Sequence, residues 1–270
     1  MAEFEMTDLG LLHYFLGIEV VQSATGIFIM QKKYAVEILD RFEMKTCNSV
    51  GTPIEPGLKL TKDPKGKKVD ITLFKQIVGS LMYLTATRTY IMYAVSLISR
   101  YMEHPTEHHL SAAKRVLRYL KGTIDFGIFY KKGEMSELVG FTDSDYAGDL
   151  DDRRSTSGYV FMLSDGAVSW SSKKQQIVTL SSTEAEFVAA AGCACQAICY
   201  LAAKVDYQDG IVDMTFCSSE VQLADIFTKP LKPVVYVKLR ELLGVCSRKD
   251  VDFDGKELSC WSFLCYKLMS

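Results

Sequence analysis

Between residues 137 and 204 the hydrophobic period of the chain changes, and this change limits the fold more than any other feature. "ELVGFTD" reads as a strand and "SGYVFML" as a second. "AVSWSSK" reads as a third, with Val168 and Trp170 alternating with Ser169 and Ser171. Asp165-Gly166 between the second and third is a strong hairpin signal. "STEAEFVAAAGCACQAICYLAAK" then reads as one long helix, with Ser182 or Thr183 as its cap and Glu184 in its first turn. Three antiparallel strands followed by a helix predict an α+β layer. Beyond it, "IVDMTFC" is strand-like, and a helix is expected from about Glu220, broken at Pro230 and Pro233.

Upstream the pattern is different. Residues 12–31, "LHYFLGIEVVQSATGIFIMQ", read as a hairpin whose turn holds Gly26. "KKYAVEILDRF" follows with apolar residues at helical spacing, at Ala35, Ile38, Leu39 and Phe42. A polar stretch with Pro53, Pro56, Gly57, Pro64 and Gly66 reads as a loop or linker. Three helices are then expected, over about Ile71–Thr87, Tyr90–Met102 and Thr106–Lys121, with Thr106 capping the third. The third carries Lys114, Arg115, Arg118 and Lys121. Such a face is either solvated surface or a contact for a nucleic-acid backbone.

Composition excludes some classes. A net charge of -2 over 270 residues argues against a globally basic nucleic-acid binder, so any such surface must be local. No run approaches the roughly 20 apolar residues that span a bilayer, and the N-terminal stretch lacks the basic and apolar regions of a signal peptide. An intracellular setting, cytoplasmic or nuclear, is expected, with no membrane partner. Cys193, Cys195 and Cys199 share the long helix, but no histidine or second cysteine pair gives them metal-site spacing. They are read as small fillers on a core helix in a reducing compartment.

The chemistry concentrates where the first of the three strands ends. Asp143, Asp145, Asp149, Asp151 and Asp152 fall within ten residues. They form either a solvated loop or part of an ion site. Asp143 sits near the end of its strand, Glu186 one turn into the long helix, and Asp225 in the first turns of the last helix. Three acids from three elements could therefore converge at one end of the sheet. Clustered carboxylates repel one another unless a cation offsets the cost, as a pair of Mg²⁺ ions about 4 Å apart would. An EF-hand reading of "DSDYAGDLDDRR" fails, because Ala147 and Arg154 stand at ligand positions.

These motifs carry a resemblance. "GFTDSDYAGD", "STSGYVFML", "AVSWSSKKQ", "LSSTEAEFVAAA" and "ADIFTKPL" resemble, in order, the ribonuclease H domain of Ty1/copia-type retrotransposon Pol polyproteins. "FEMTDLGLLHYFLGIEV", "VGSLMYLTATR" and "AAKRVLRYLKGT" resemble the same polyprotein just after its reverse transcriptase active site. The resemblance implies a ribonuclease H-like mixed sheet with flanking helices, preceded by a β-hairpin and helical region. It implies residues 1–133 as the end of the reverse transcriptase and connection region, 134–245 as a truncated ribonuclease H-like domain, and 246–270 as an unrelated tail. It implies Mg²⁺- or Mn²⁺-dependent cleavage of the RNA strand of an RNA–DNA hybrid. Asp143 in "FTDS" matches the first catalytic, metal-binding carboxylate, Glu186 in "EAEFVAA" the second, with Glu184 the near alternative, and Asp225 in "ADIFTK" the fourth. Lys173 and Lys174 in "WSSKK" are candidate nucleic-acid contacts; the other reading makes Trp170 a buried strand residue and the lysines plain surface.

Two departures matter. The paired aspartates of the polymerase signature are absent, so DNA synthesis is not expected. The family's next central strand, with its third catalytic Asp, has no counterpart after "CQAICYLAAK", and Asp206, Asp209 and Asp213 do not take its place. The family's catalytic-loop His has none either: His13, His104, His108 and His109 all lie upstream. The expectation is a pseudoenzyme with little or no nuclease activity. It should have either a bare sheet edge beside Asp143 or "IVDMTFC" paired there.

Overall fold

The computed structural model describes residues 11–133, 138–202 and 215–251. Its first strands are β1 (Tyr14–Phe15), β2 (Ile18–Gln22) and β3 (Gly26–Met30), followed by α1 (Lys32–Arg41). Three further helices follow, α2 (Ile71–Leu84), α3 (Met92–Ser99) and α4 (Glu107–Gly122). Strands β4 (Phe126–Lys131), β5 (Leu138–Ser144), β6 (Thr156–Leu163) and β7 (Gly166–Lys174) precede the long α5 (Ser182–Ala202). A 3-10 helix at Leu223–Phe227, α6 (Pro233–Leu242) and β8 (Val245–Ser247) complete the order. Among the described residues no helix is long and apolar enough to cross a membrane.

Two antiparallel sheets result, one ordered β1-β2-β3-β4-β8 and the other β5-β6-β7. The α+β class is as expected, but several elements differ in detail. The hairpin expected over residues 12–31 has an extra turn at Leu16 and Gly17, both with positive φ, which splits off β1. β4 was not anticipated: its Phe126, Ile128 and Tyr130 alternate, but the run directly follows a helix and lacks a turn partner of its own. Its partners come from far along the chain, β3 on one side and β8 on the other. The expected last helix is interrupted between Phe227 and Pro233; proline at the first helical position then starts α6, since its missing N–H would be unpaired there anyway. Of "IVDMTFC", residues 211–214 lie outside the described residues, and Thr215, Phe216 and Cys217 form no strand. Within the described residues β5 pairs only with β6, and its other edge is open.

The Asp165-Gly166 signal marks a real hairpin, for a different reason. The residue with positive φ is Ser164, and Gly166 opens β7. A Cβ on Gly166 would lie 2.6 Å from the Tyr130 ring, so this glycine lets the two sheets meet. Tyr130 then donates to the Ala167 carbonyl at 2.7 Å.

One hydrophobic cluster runs through both halves, from Ala35 and Ile38 on α1 through Val160 and Ala167 in the second sheet to Leu239 and Val245. Trp170 is partly buried against it and donates to the Thr85 carbonyl at 3.0 Å, tying β7 to the end of α2. Arg88 is fully buried and reaches Tyr90 Oη at 2.7 Å, Thr123 O at 2.6 Å and Ile124 O at 2.9 Å, closing the α4–β4 junction. The long helix α5 is not the core helix expected. Ala185, Ala189, Cys193 and Ala197, at four-residue spacing, bury one narrow stripe, while Phe187 is 71% exposed and Cys195 and Cys199 are exposed. Small residues suit that stripe because they let the helix lie close on β5 and β6.

Candidate functional site

Each carboxylate of the acidic run from Asp143 to Asp152 has a partner, Asp151 on an exposed loop and the others partly or fully buried. Asp145 accepts from the Thr156 N–H. Burial raises its pKa to about 6, against that hydrogen bond. Asp149 is buried, with Arg100 Nη1 at 3.2 Å and Lys174 Nζ at 2.9 Å. Burial alone would raise its pKa, but the hydrogen bonds from Lys174 and the Asp151 N–H outweigh it and leave the pKa lowered. Asp151 accepts from the Lys62 N–H, at 3.0 and 2.9 Å to its two oxygens, and Asp152 pairs with Lys174 at 2.8 Å. Lys174, one of the two candidate nucleic-acid contacts, is thus held between Asp149 and Asp152, whereas Lys173, the other, is exposed.

Asp143 faces elsewhere. It lies one residue before the end of β5, opposite Gly158 of β6, and its carboxylate is buried. A Cβ on Gly158 would lie 2.6 Å from the Phe227 Cβ and 2.9 Å from the Thr228 methyl. The absent side chain therefore lets the 3-10 helix carrying Asp225 lie directly on the sheet. Thr228 Oγ1 donates to Asp143 Oδ2. Lys229 places its ammonium 2.9 Å from Asp225 Oδ1 and 3.5 Å from Asp143 Oδ2. Gln222 fixes the start of this helix, accepting from the Ala224 N–H and donating to the Thr142 carbonyl at 3.1 Å.

Glu186 approaches from α5. Burial raises its pKa, with further upward pressure from Asp143 and Asp225 and a Ser144 backbone hydrogen bond opposing. Burial likewise raises Asp225, Asp143 adding to it against Lys229. Burial works against the charge on Lys229, but Asp143 and Asp225 overcome it and raise its pKa. The three acids from three elements therefore feel one another. Glu184, the alternative, is engaged in capping: its carboxylate accepts from the Leu180 N–H at 2.6 Å, and its own N–H reaches Ser181 Oγ at 3.1 Å. The cap is thus one residue earlier than Ser182.

Sequence reasoning missed the residues that assemble this centre. Buried Gln175 directs its amide to Ser144 Oγ at 3.2 Å, Ser157 Oγ at 2.9 Å and Ala185 O at 2.9 Å, locking β5, β6 and α5 together. Thr228, Lys229 and Gly158 carry no periodic signal of their own. The signal available was a threonine and a lysine three and four residues after Asp225, one turn on.

Carboxylate oxygens are the right donors for a hard divalent ion. Their arrangement does not fit one. Asp143 Oδ2 is taken by Thr228 and Lys229 and Asp225 Oδ1 by Lys229, and among the described residues no three His, Cys, Asp or Glu side chains are grouped to hold an ion.

The reverse transcriptase (RNA-dependent DNA polymerase) family model matches residues 1–56. The chain is 39% identical over 286 residues to the retrovirus-related Pol polyprotein from transposon RE1 of Arabidopsis thaliana, covering 90% of this chain and 20% of that one. It is 42% identical over 197 residues to the retrovirus-related Pol polyprotein from transposon TNT 1-94 of Nicotiana tabacum, covering 69% and 15%. It is 43% identical over 189 residues to an uncharacterised mitochondrial protein of Arabidopsis thaliana, covering 70% of this chain and 78% of that protein. No solved structure matches. The chain is similar to one segment of retrotransposon Pol polyproteins, and its residues 1–56 match the reverse transcriptase family. It spans about a fifth of the length of the RE1 polyprotein.

Proposed function

We propose that this chain is the C-terminal part of a Pol polyprotein, carrying the end of the reverse transcriptase, the connection region and a ribonuclease H-like domain that lacks one central strand, and that it does not hydrolyse RNA. One observation carries the reading: the chain's own Lys229 ammonium lies 2.9 Å from Asp225 Oδ1 and 3.5 Å from Asp143 Oδ2, joining two acids from separate elements, with Glu186 of α5 near enough to feel both. The position of the acids supports descent from a two-metal nuclease; the ammonium supports its closure. An internal deletion is supported by the alignment with the RE1 polyprotein, whose 286 residues exceed this entire chain, so that relative has segments with no counterpart here. Among the described residues no strand pairs with the other edge of β5, which accords with a lost strand.

The test is incubation of the full chain with a labelled RNA–DNA hybrid in Mg²⁺ and in Mn²⁺. The expected result is cleavage no greater than that of Asp143→Asn. Cleavage by the natural chain that disappears in Asp143→Asn overturns the inactive reading and supports a live nuclease instead.

A further inference from the structure

Helix α5 has two apolar faces, and the sheet covers only one of them. Ala185, Ala189, Cys193 and Ala197 lie on the side packed against β5 and β6. From Phe187 to Ala202 the helix carries no charged residue. Its one amide and its one hydroxyl in that stretch both turn to the sheet. Tyr159 donates to Gln196 Oε1 at 3.5 Å, and the Tyr200 ring meets Phe161 edge-on with centroids 5.4 Å apart. What remains outward is apolar: Phe187 is 71% exposed and Ile198 56%, Ala191 and Cys195 are exposed, and Ala194 is partly so. A helix that is apolar all round is normally buried all round. Among the described residues nothing buries this second face.

The spacing of that face selects its occupant. Phe187, Ala191, Ala194 and Ile198 follow one another at intervals of four, three and four residues, the seam of a coiled coil. Large, small, small, large is the same order read from either end. An antiparallel copy, related by a twofold axis between positions 192 and 193, therefore sets Phe187 against Ile198 and Ala191 against Ala194, each pair twice, as an isologous contact requires. The alanines let the two helix axes approach closely at the centre, and the large side chains close the ends. Opposed helix dipoles favour this direction over the parallel one. Neither copy brings a charge to the seam. The area sets the strength: with Phe187 and Ile198 as its main surface, the seam covers on the order of 700 Å² over both copies, under half of the ~1,600 Å² of a standard interface. A contact of that size is weak and reversible.

We propose that the outer face of α5 is a self-association surface, on which α5 of a second copy packs antiparallel through Phe187, Ala191, Ala194 and Ile198. The dissociation constant expected for so small a contact is about 10–100 µM. The acidic centre takes no part in this contact, so the association stands or falls independently of nuclease activity.

The test is sedimentation velocity of the full chain from about 1 to about 300 µM, a range that brackets the expected constant. Reductant is present throughout, so that the exposed Cys195 and Cys199 cannot link copies. The sedimentation coefficient should rise with concentration towards that of a dimer. Ala191→Lys alone and Ala194→Glu alone each bury an unpaired charge in the seam, and each should weaken the dimer at least tenfold with an unchanged circular dichroism spectrum. Combined in one chain, the two substitutions face each other across the axis with opposite charge and should restore the dimer. In a parallel pair each position would face its own copy, and the combination would restore nothing. Cys199→Ser, exposed but off the seam, should leave the association unchanged. The proposal is overturned by a monomer at every concentration, or by a dimer that neither single variant weakens. It is overturned equally if the combined variant dimerises no better than the single ones, or if Cys199→Ser abolishes the dimer.

Discussion

Gly158 shapes the acidic centre without contributing an atom to its chemistry. Any side chain there meets Phe227 and Thr228, so Gly158→Ala must lift the 3-10 helix from the sheet. The expected cost is about 1–3 kcal/mol in chemical denaturation, as for other overpacked sites. The Asp143–Thr228 hydrogen bond should be lost with it, seen as faster exchange of backbone amides near Asp225. Arg88 poses the opposite problem. Arg88→Ala leaves Thr123 O, Ile124 O and Tyr90 Oη without their donor in the core, and a loss of about 3–5 kcal/mol is expected by the same measurement. At this scale the sequence was legible where a residue's chemistry is costly by itself: acids at strand and helix ends attract attention, so Asp143, Glu186 and Asp225 could be picked out. Gly158, Gln175 and Lys229 could not. Their importance comes from what lies across the fold from them, and one chain shows no such pairing.

Helix α4 was legible as an element because its apolar stripe, Ala112, Ala113, Val116, Leu117 and Leu120, follows a 3.6-residue period to the core. Its start was legible as well, but not the residue that completes it. His109 stands where a capping box normally has Glu or Gln; Nδ1 accepts from the Thr106 N–H at 3.0 Å and Nε2 donates to Thr61 O at 3.0 Å. The Thr106 bond needs the neutral ring, whereas the Thr61 bond survives protonation. Burial lowers the His109 pKa, with the Thr61 bond opposing. Below the ordinary value near 6.5 the unfolded chain takes up the proton more readily than the folded one. Stability from this group is therefore complete above about pH 6.5 and is lost as pH falls through the lower folded value. His109→Ala should cost about 2 kcal/mol at pH 7.5 and less at pH 5.5, where the natural chain has already lost part of the benefit; urea midpoints at the two values check this. β4 was missed for the converse reason: its six residues alternate too briefly to announce a strand whose partners are distant in sequence. α5 was recognised by length and composition, but its burial was overestimated, since alanine and cysteine are apolar whether or not anything covers them.

At the scale of the whole molecule, a single buried cluster joins elements that sequence patterns alone assign to separate regions. Trp170 on β7 bonds to the end of α2, and the Ala167 N–H donates to Leu243 O at 3.1 Å. Urea unfolding followed by Trp170 fluorescence, in a Trp261→Phe background, should coincide with loss of helical circular dichroism, as for one cooperative unit. Two separated transitions would show instead that the halves unfold independently. Mg²⁺ or Mn²⁺ at millimolar concentration should leave the melting temperature unchanged, because a ligand stabilises a fold only by binding it. A rise with metal would mean that Lys229 yields its place.

The pairing of β8 with β4 has a consequence for biosynthesis. As a nascent chain leaves the ribosome, β1 to β4 emerge early, yet β4 waits more than a hundred residues for the short strand that covers its outer edge. Throughout that interval an unpaired strand is offered to the crowded cell, the kind of exposure that chaperones exist to guard. Any message truncated before Val245 leaves that guard permanently needed.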